Sequence, residues 1–287
     1  MAIATTAPKH ELRFFAHHLS PEFDRLHIVP ISDVHYGDPL FSEKHFLRTL
    51  KYIADTPYAY TILNGDLLNC VIVGRPGNIF RQAVISPQDQ RDVMIQYLLP
   101  IKHKILAMTT GNHEERLLDL AGFDLSRDIA NALNVPYRPE GIGLKISFGH
   151  GNNSMPDKPF VYWGYATHGY GGARTKGGKA VKVERLSTYI HCQFYIMSHD
   201  HETNAAPGVY LTPDNRESMD KNGFVSCPVS ETRKIMVKSN AYLKFGGYGE
   251  MKGFSPVDLS APILILSGHA VPDDFELGAY PSARAII

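Results

Sequence analysis

An apolar run that stops at Asp33-Val34-His35 constrains this chain more than any other feature. Residues 26–31 read as a buried strand that delivers a carboxylate and an imidazole just past its carboxyl end. Side chains two apart on an extended segment point the same way, so Asp33 and His35 can reach one point in space. Oxygen with imidazole is metal-ligand chemistry. One such pair proves little until the rest of the chain supplies partners.

The same signature recurs. An apolar run at 58–63 ends in Asn64-Gly65-Asp66, and one at 104–108 ends in Gly111-Asn112-His113-Glu114. Residues 160–166 lead to Thr167-His168-Gly169, and 194–197 lead to Ser198-His199-Asp200-His201. Helical patterns separate the first three strands. One covers 42–54, with Phe46, Leu47, Leu50 and Ile53 on one side. A second opens at Ser86-Pro87-Gln88-Asp89, a capping box with proline at the first helical position. Strand–helix alternation of this kind predicts a parallel sheet covered on its faces, and ligands bind beyond the carboxyl ends of such strands.

Elsewhere the pattern is weaker. Residues 12–26 have roughly helical spacing interrupted by Pro21, and residues 1–25 read as an N-terminal extension. A strand is expected at 144–148 and a helix at 181–189, after a glycine-dense loop at 169–178. Residues 202–222 read as a polar excursion, followed by short strands at 234–238, 241–245 and 262–266. No repeat or linker divides the chain, so one domain over 1–287 is expected, with 202–287 completing the second of two layered sheets.

Total charge argues against a long-range grip on nucleic acid, since 29 basic side chains balance 29 acidic ones. Three scattered cysteines, Cys70, Cys192 and Cys227, make no disulfide framework and favour a reducing compartment. No apolar run reaches the roughly 18 residues needed to span a bilayer, and residues 1–8 are too weakly apolar for a signal peptide. A cytoplasmic protein without a membrane partner is the expectation. The donors at the strand ends are too many for one ion. A two-metal centre, roughly 3.5–4 Å between ions, uses a bridging carboxylate and acts on phosphoryl groups. The carboxylate–imidazole mixture suits manganese, iron, zinc, cobalt or nickel better than magnesium.

Asp33-x-His35, Gly65-Asp66-x-x-Asn69, Gly111-Asn112-His113-Glu114, Thr167-His168-Gly169 and Ser198-His199-x-His201 resemble, in order and spacing, the motifs of the calcineurin-like metallophosphoesterases. The resemblance implies a two-sheet α/β/β/α sandwich with two divalent ions, manganese first among them. It assigns Asp33, His35 and His201 to one ion and Asn112, His168 and His199 to the other, with Asp66 bridging. A metal-bridging water or hydroxide would be the nucleophile, and His113 would bind the phosphoryl oxygen or protonate the leaving group. Two positions depart from the family pattern. Asn69 stands where a carboxylate often pairs with the catalytic histidine, so its amide would orient His113 less strongly. Ser198 replaces a usual glycine.

Substrate choice is then a property of loops. Arg75 in 71–85, and Arg174, Lys176 and Lys179 around the glycine-dense loop, are candidate cations for a phosphoester, with a nucleotide or nucleic acid among the candidate substrates. A phosphodiesterase is the favoured reading, and a phosphomonoesterase or a non-catalytic metal-stabilised interaction module are the alternatives. Oligomeric state is not legible. The remaining histidines, including His150 and His269, read as structural.

Overall fold

A computed structural model describes residues 14–72, 85–150, 158–173, 175–213, 218–251, 256, 259–269 and 283–287. Five strands form one sheet in the order β13-β12-β2-β3-β4: β2 Arg25–Ile31, β3 Ala59–Asn64, β4 Ile105–Thr109, β12 Ile263–Ser267 and β13 Ala283–Ile286. β2, β3 and β4 are parallel, as expected from helical crossovers. Six strands form the other sheet in the order β1-β5-β6-β7-β11-β8. They are β1 Phe14–His18, β5 Ile142–Phe148, β6 Phe160–Thr167, β7 Phe194–Met197, β8 Asn204–Pro213 and β11 Val229–Lys238. A two-stranded ribbon, β9 Ser218–Met219 with β10 Val225–Ser226, lies between β8 and β11 in the chain.

Alternating side chains sort the core into three layers. Leu26, Ile28, Ile62, Leu106 and Leu264 of the first sheet meet Leu144, Ile146, Tyr162, Phe194, Ile196 and Val237 of the second. The opposite face of the first sheet (Val29, Ile31, Leu63, Met108) packs under α1 Glu43–Asp55, α2 Pro87–Leu98 and α4 Leu125–Leu133. Tyr195, Met197 and Met236 pack under α5 Lys176–Tyr189 through Val183 and Leu186. The architecture is therefore an α/β/β/α sandwich. α3 Asn112–Ala121 starts directly at the strand ends, and a short α6 Gly247–Met251 lies late in the chain.

Local chemistry explains the helix ends. Ser86 Oγ accepts from the Asp89 N–H at 3.2 Å with Pro87 at the first helical position, as the capping box predicts. On α1, His45 and Thr49 join Phe46, Leu50 and Ile53 on the buried face, while Leu47 is exposed. The buried ammonium of Lys104 closes that helix, donating to the carbonyls of Ile53 at 2.7 Å and Thr56 at 2.6 Å. Carbonyls left unpartnered at a buried helix end cost about 1–3 kcal/mol. Lys104→Met is accordingly expected to lower the urea midpoint by that much stability with an unchanged m-value; an unmoved midpoint would count against the staple.

Several elements differ from the sequence expectation. Residues 14–18 are not an appended helical segment but β1, paired in parallel with β5 from Phe14↔Gly143 to His18↔Ser147. Residues 204–213 are a ten-residue edge strand, not a polar excursion, and β11 begins at Val229 to match them. Residues 241–245 form no strand beyond a single bridge, Phe41↔Leu243. The C-terminal part is divided, with β8 and β11 in the six-stranded sheet and β12 and β13 in the five-stranded one. α5 starts at Lys176, with Thr175 Oγ1 accepting from the Gly178 N–H, so the last two glycines of the expected loop sit in its first turn.

Candidate metal centre

The loops that follow β2 and β3 are zipped together beyond the strands. Asp33 N–H donates to Gly65 O at 3.1 Å and His35 N–H to Asp66 O at 3.0 Å. Within them Asp33, His35 and Asp66 take left-handed backbone angles (φ 49°, 49° and 51°), and so do His199 and His201 (73° and 52°). Left-handed backbone is uncommon outside glycine and concentrates where surroundings over-determine it, often at functional sites. Gly65 permits the preceding turn: at φ 80° an added Cβ would lie 2.6 Å from Thr110 O. Gly111 lets α3 approach, because a Cβ there would lie 2.1 Å from Asp66 Oδ1.

The expected donors converge in two groups. In one, His201 Nε2 stands 3.0 Å from His35 Nε2 and 3.3 Å from Asp33 Oδ1, with His35 Nε2 3.9 Å from both Asp33 Oδ1 and Asp66 Oδ2. In the other, Asn112 Oδ1 stands 2.8 Å from His199 Nδ1 and 3.3 Å from His168 Nε2, which is 3.2 Å from Asp66 Oδ2. Asp66 Oδ2 thus faces both groups, while its Oδ1 accepts from the His113 N–H at 2.8 Å. Donor atoms about 2.1 Å from one ion would stand roughly 3.0–3.4 Å from each other, close to most of these spacings. Asp33 Oδ1 is buried with no backbone or hydroxyl donor, and only the His201 imidazole stands opposite it at 3.3 Å, a sparse shell for a buried anion. The residues fit a pair of divalent ions.

Partners outside each group orient the imidazoles. His168 Nδ1 is 2.8 Å from Asn64 O, which leaves Nε2 toward Asp66. His199 Nε2 is 2.8 Å from Gly171 O, which leaves Nδ1 toward Asn112. His113 Nδ1 is 2.6 Å from Asn69 O, leaving Nε2 4.0 Å from Asp66 Oδ2. Asn69 therefore reaches His113 through its backbone carbonyl. The amide that was expected to orient the ring donates instead to Asp38 Oδ2 at 3.4 Å.

The chain is thus an α/β/β/α sandwich with its polar donors gathered beyond the strand ends, the architecture expected above. No family model matches the chain, and no curated protein matches it by sequence. Among solved structures, Vacuolar Protein Sorting 29 from Cryptosporidium parvum is 13% identical, with TM-score 0.40, over 91% of this chain and 98% of its own. A predicted phosphoesterase from Streptococcus pneumoniae is 9% identical, with TM-score 0.35, over 91% and 97%. GAP50, described as the anchor in the inner membrane complex of Plasmodium, is 11% identical, with TM-score 0.38, over 85% and 81%.

Electrostatics in the donor cluster divide the imidazoles. Burial pushes His35 and His199 below the usual histidine value and takes His113 down to about 4. Burial also opposes charge on His168, but the Asp66 carboxylate outweighs it and lifts the ring to about 10. Asp33 and Asp66 are held below the carboxylate range: burial alone would raise them, and the neighbouring histidines overcome it. A raised folded-state pKa contributes stability fully present below about pH 6.5 and lost as pH rises toward 10. Metal-stripped protein should therefore melt at progressively lower temperature from about pH 6.5 to 10. Loading metal displaces that proton and should remove the slope; identical pH profiles with and without metal would refute the link.

Several contributors were not foreseen. Glu114, buried at the start of α3, accepts from three backbone N–H groups: Asp66 at 3.1 Å, Leu68 at 2.8 Å and Gly111 at 3.2 Å. Asn64 Nδ2 donates to Ser198 Oγ at 2.6 Å, and hydroxyl contacts continue from Ser198 to Ser239 at 2.7 Å and to Ser32 at 2.6 Å. Ser198 thus does more than replace a glycine, since its hydroxyl ties the two sheets together under the donors. The capping-box glutamate could have been found from Gly111-Asn112-His113-Glu114; nothing in the sequence marks the serines. Of the candidate substrate cations, Arg75 and Arg174 lie outside the described residues. Lys176 is exposed, 3.7 Å from Glu202, and Lys179 is buried 2.8 Å from the same carboxylate. His150 and His269 bond the carbonyls of Pro21 and Asp24, away from the donors.

Proposed function

We propose that the chain is a dinuclear-metal phosphoester hydrolase, with phosphodiesters as its preferred substrates. The observation that supports it is the complete donor set in two groups sharing Asp66. Two cations held by those residues would supply Lewis acidity and a water acidic enough to attack near neutral pH. Manganese is the first candidate, with iron, zinc, cobalt or nickel as alternatives. Asp66 fixes the His113 backbone by accepting its N–H, and the Asn69 carbonyl fixes the ring through Nδ1. Held neutral by burial, with Nδ1 bonded to a carbonyl, His113 presents a bare Nε2 that accepts a proton and can return it to a leaving oxygen.

The diester preference draws on charge. A monoester carries one more negative charge than a diester, and Lys179 and Lys182 beside the centre are each held by a carboxylate. A nucleotide or nucleic acid diester is compatible with this environment. Manganese-loaded protein assayed on bis-p-nitrophenyl phosphate, p-nitrophenyl phosphate, cyclic nucleotides and DNA tests the reading. Turnover of the diesters with little of the monoester is the expected result, and turnover of monoesters alone would reverse the preference.

A second reading is a metal-stabilised interaction module without turnover. The β8–β11 hairpin favours it, because Val209, Leu211 and Val229 lie exposed on the face that elsewhere forms the core between the sheets. Sorting and anchoring, named for two of the similar structures, are roles of this kind. Two bound ions per chain with no turnover on any of the four substrates would select it.

A further inference from the structure

Residues 198–202 carry His199 and His201, one donor for each group, with Asp200 between them. The Asp200 side chain is buried and meets two ammonium groups from different elements. Lys182 Nζ on α5 lies 2.6 Å from Oδ1, and the fully buried Lys238 Nζ at the end of β11 bonds Oδ2. Lys238 also donates to Ser198 O at 3.3 Å, so it grips the segment at two points. Resting on the metal-centre reading, we propose that Asp200, Lys182 and Lys238 form a positioning clamp that sets how tightly the centre holds its ions.

Three observations carry this. A fully buried lysine is rare and seldom the cheapest way to stabilise a core, because desolvating the pair offsets much of its attraction. Here it bonds Asp200, the residue that stands between both ligands the segment supplies. His199 and His201 have left-handed backbones, a conformation that persists only where neighbouring contacts hold it. The clamp also joins the end of β11 and the helix α5 to a segment that otherwise leaves β7 without regular structure. Partners of this kind act on metal affinity through ligand orientation.

The test titrates metal-stripped wild type, Asp200→Asn, Lys182→Met and Lys182→Arg with Mn²⁺ by calorimetry, with far-UV circular dichroism alongside. Asp200→Asn and Lys182→Met should bind Mn²⁺ about 10–100-fold more weakly, and Lys182→Arg should recover wild-type affinity because it keeps a cation on Asp200. The Lys182 side chain is largely covered, at 11% exposure, and methionine replaces its stem with an apolar side chain of similar length and helix propensity. Wild-type affinity in Asp200→Asn and Lys182→Met would overturn the clamp, as would equal losses in Lys182→Met and Lys182→Arg. A wild type that binds no Mn²⁺ would overturn the metal-centre reading itself.

Discussion

Asp66→Ala should abolish turnover and leave the chain unable to hold two ions. Its Oδ2 faces both donor groups, 3.9 Å from His35 Nε2 and 3.2 Å from His168 Nε2, and it is the carboxylate common to both. On the dinuclear reading proposed above, removing it would take one ligand from each ion and the negative charge that compensates both. It also releases the His113 N–H from its 2.8 Å bond. Metal ions contribute several kcal/mol to transition-state stabilisation in such reactions, so kcat/KM should fall by about a thousandfold or more. Metal analysis after gel filtration should show fewer than two ions per chain. A variant that still turned over diesters at a tenth of the wild-type rate with two ions bound would rule out the shared-carboxylate arrangement.

Glu114→Ala is expected to be the most destabilising single change at the centre, although Glu114 touches no donor side chain. Its carboxylate accepts the N–H groups of Asp66, Leu68 and Gly111, and it is 2% exposed. Burial pushes the acid up to about 7, with Asp66 adding to the rise, while the backbone N–H bonds act against it. Alanine leaves three buried donors unpaired at about 1–3 kcal/mol each. Partial relaxation brings the sum to about 3–6 kcal/mol, or roughly 10 °C in Tm for a chain of this size. Glu114→Gln keeps one acceptor oxygen and should lose less. Thermal melts of both variants decide the matter: equal melting of Glu114→Ala and wild type would mean that these N–H groups do not depend on the carboxylate.

Legibility in the sequence followed how local each determinant was. β2, β3 and β4 are buried apolar runs, so they and the polar groups at their ends could be read directly. The α2 cap is a four-residue motif and was equally plain. β8 was hidden because Pro207, Gly208 and Pro213 suggest a loop. An edge strand tolerates proline where the missing N–H faces away from its neighbour, and only the pairing with β11 reveals that edge. β1 is short and owes its form to β5, far along the chain. The donors were legible as residue types at strand ends. What holds them was not: the carbonyl contact of Asn69, the three N–H bonds of Glu114 and the lysines on Asp200 depend on tertiary placement. Lys176 and Lys179 read as free substrate cations until Glu202 appears opposite them.

The strand orders have a consequence for how the chain comes together during synthesis. Neither sheet is drawn from one continuous stretch: β1 belongs with strands made after residue 142, and β2 pairs on one side with β12 through Ile28↔Leu264. Every donor loop has left the ribosome before β12 exists, so the site's residues are synthesised while one flank of β2 still lacks its neighbour. Such distant pairings are slow to form, and an open, apolar strand flank is prone to wrong partners meanwhile. Release of a chain truncated before β12 should therefore yield aggregates rather than a smaller folded protein, even though no donor residue has been removed.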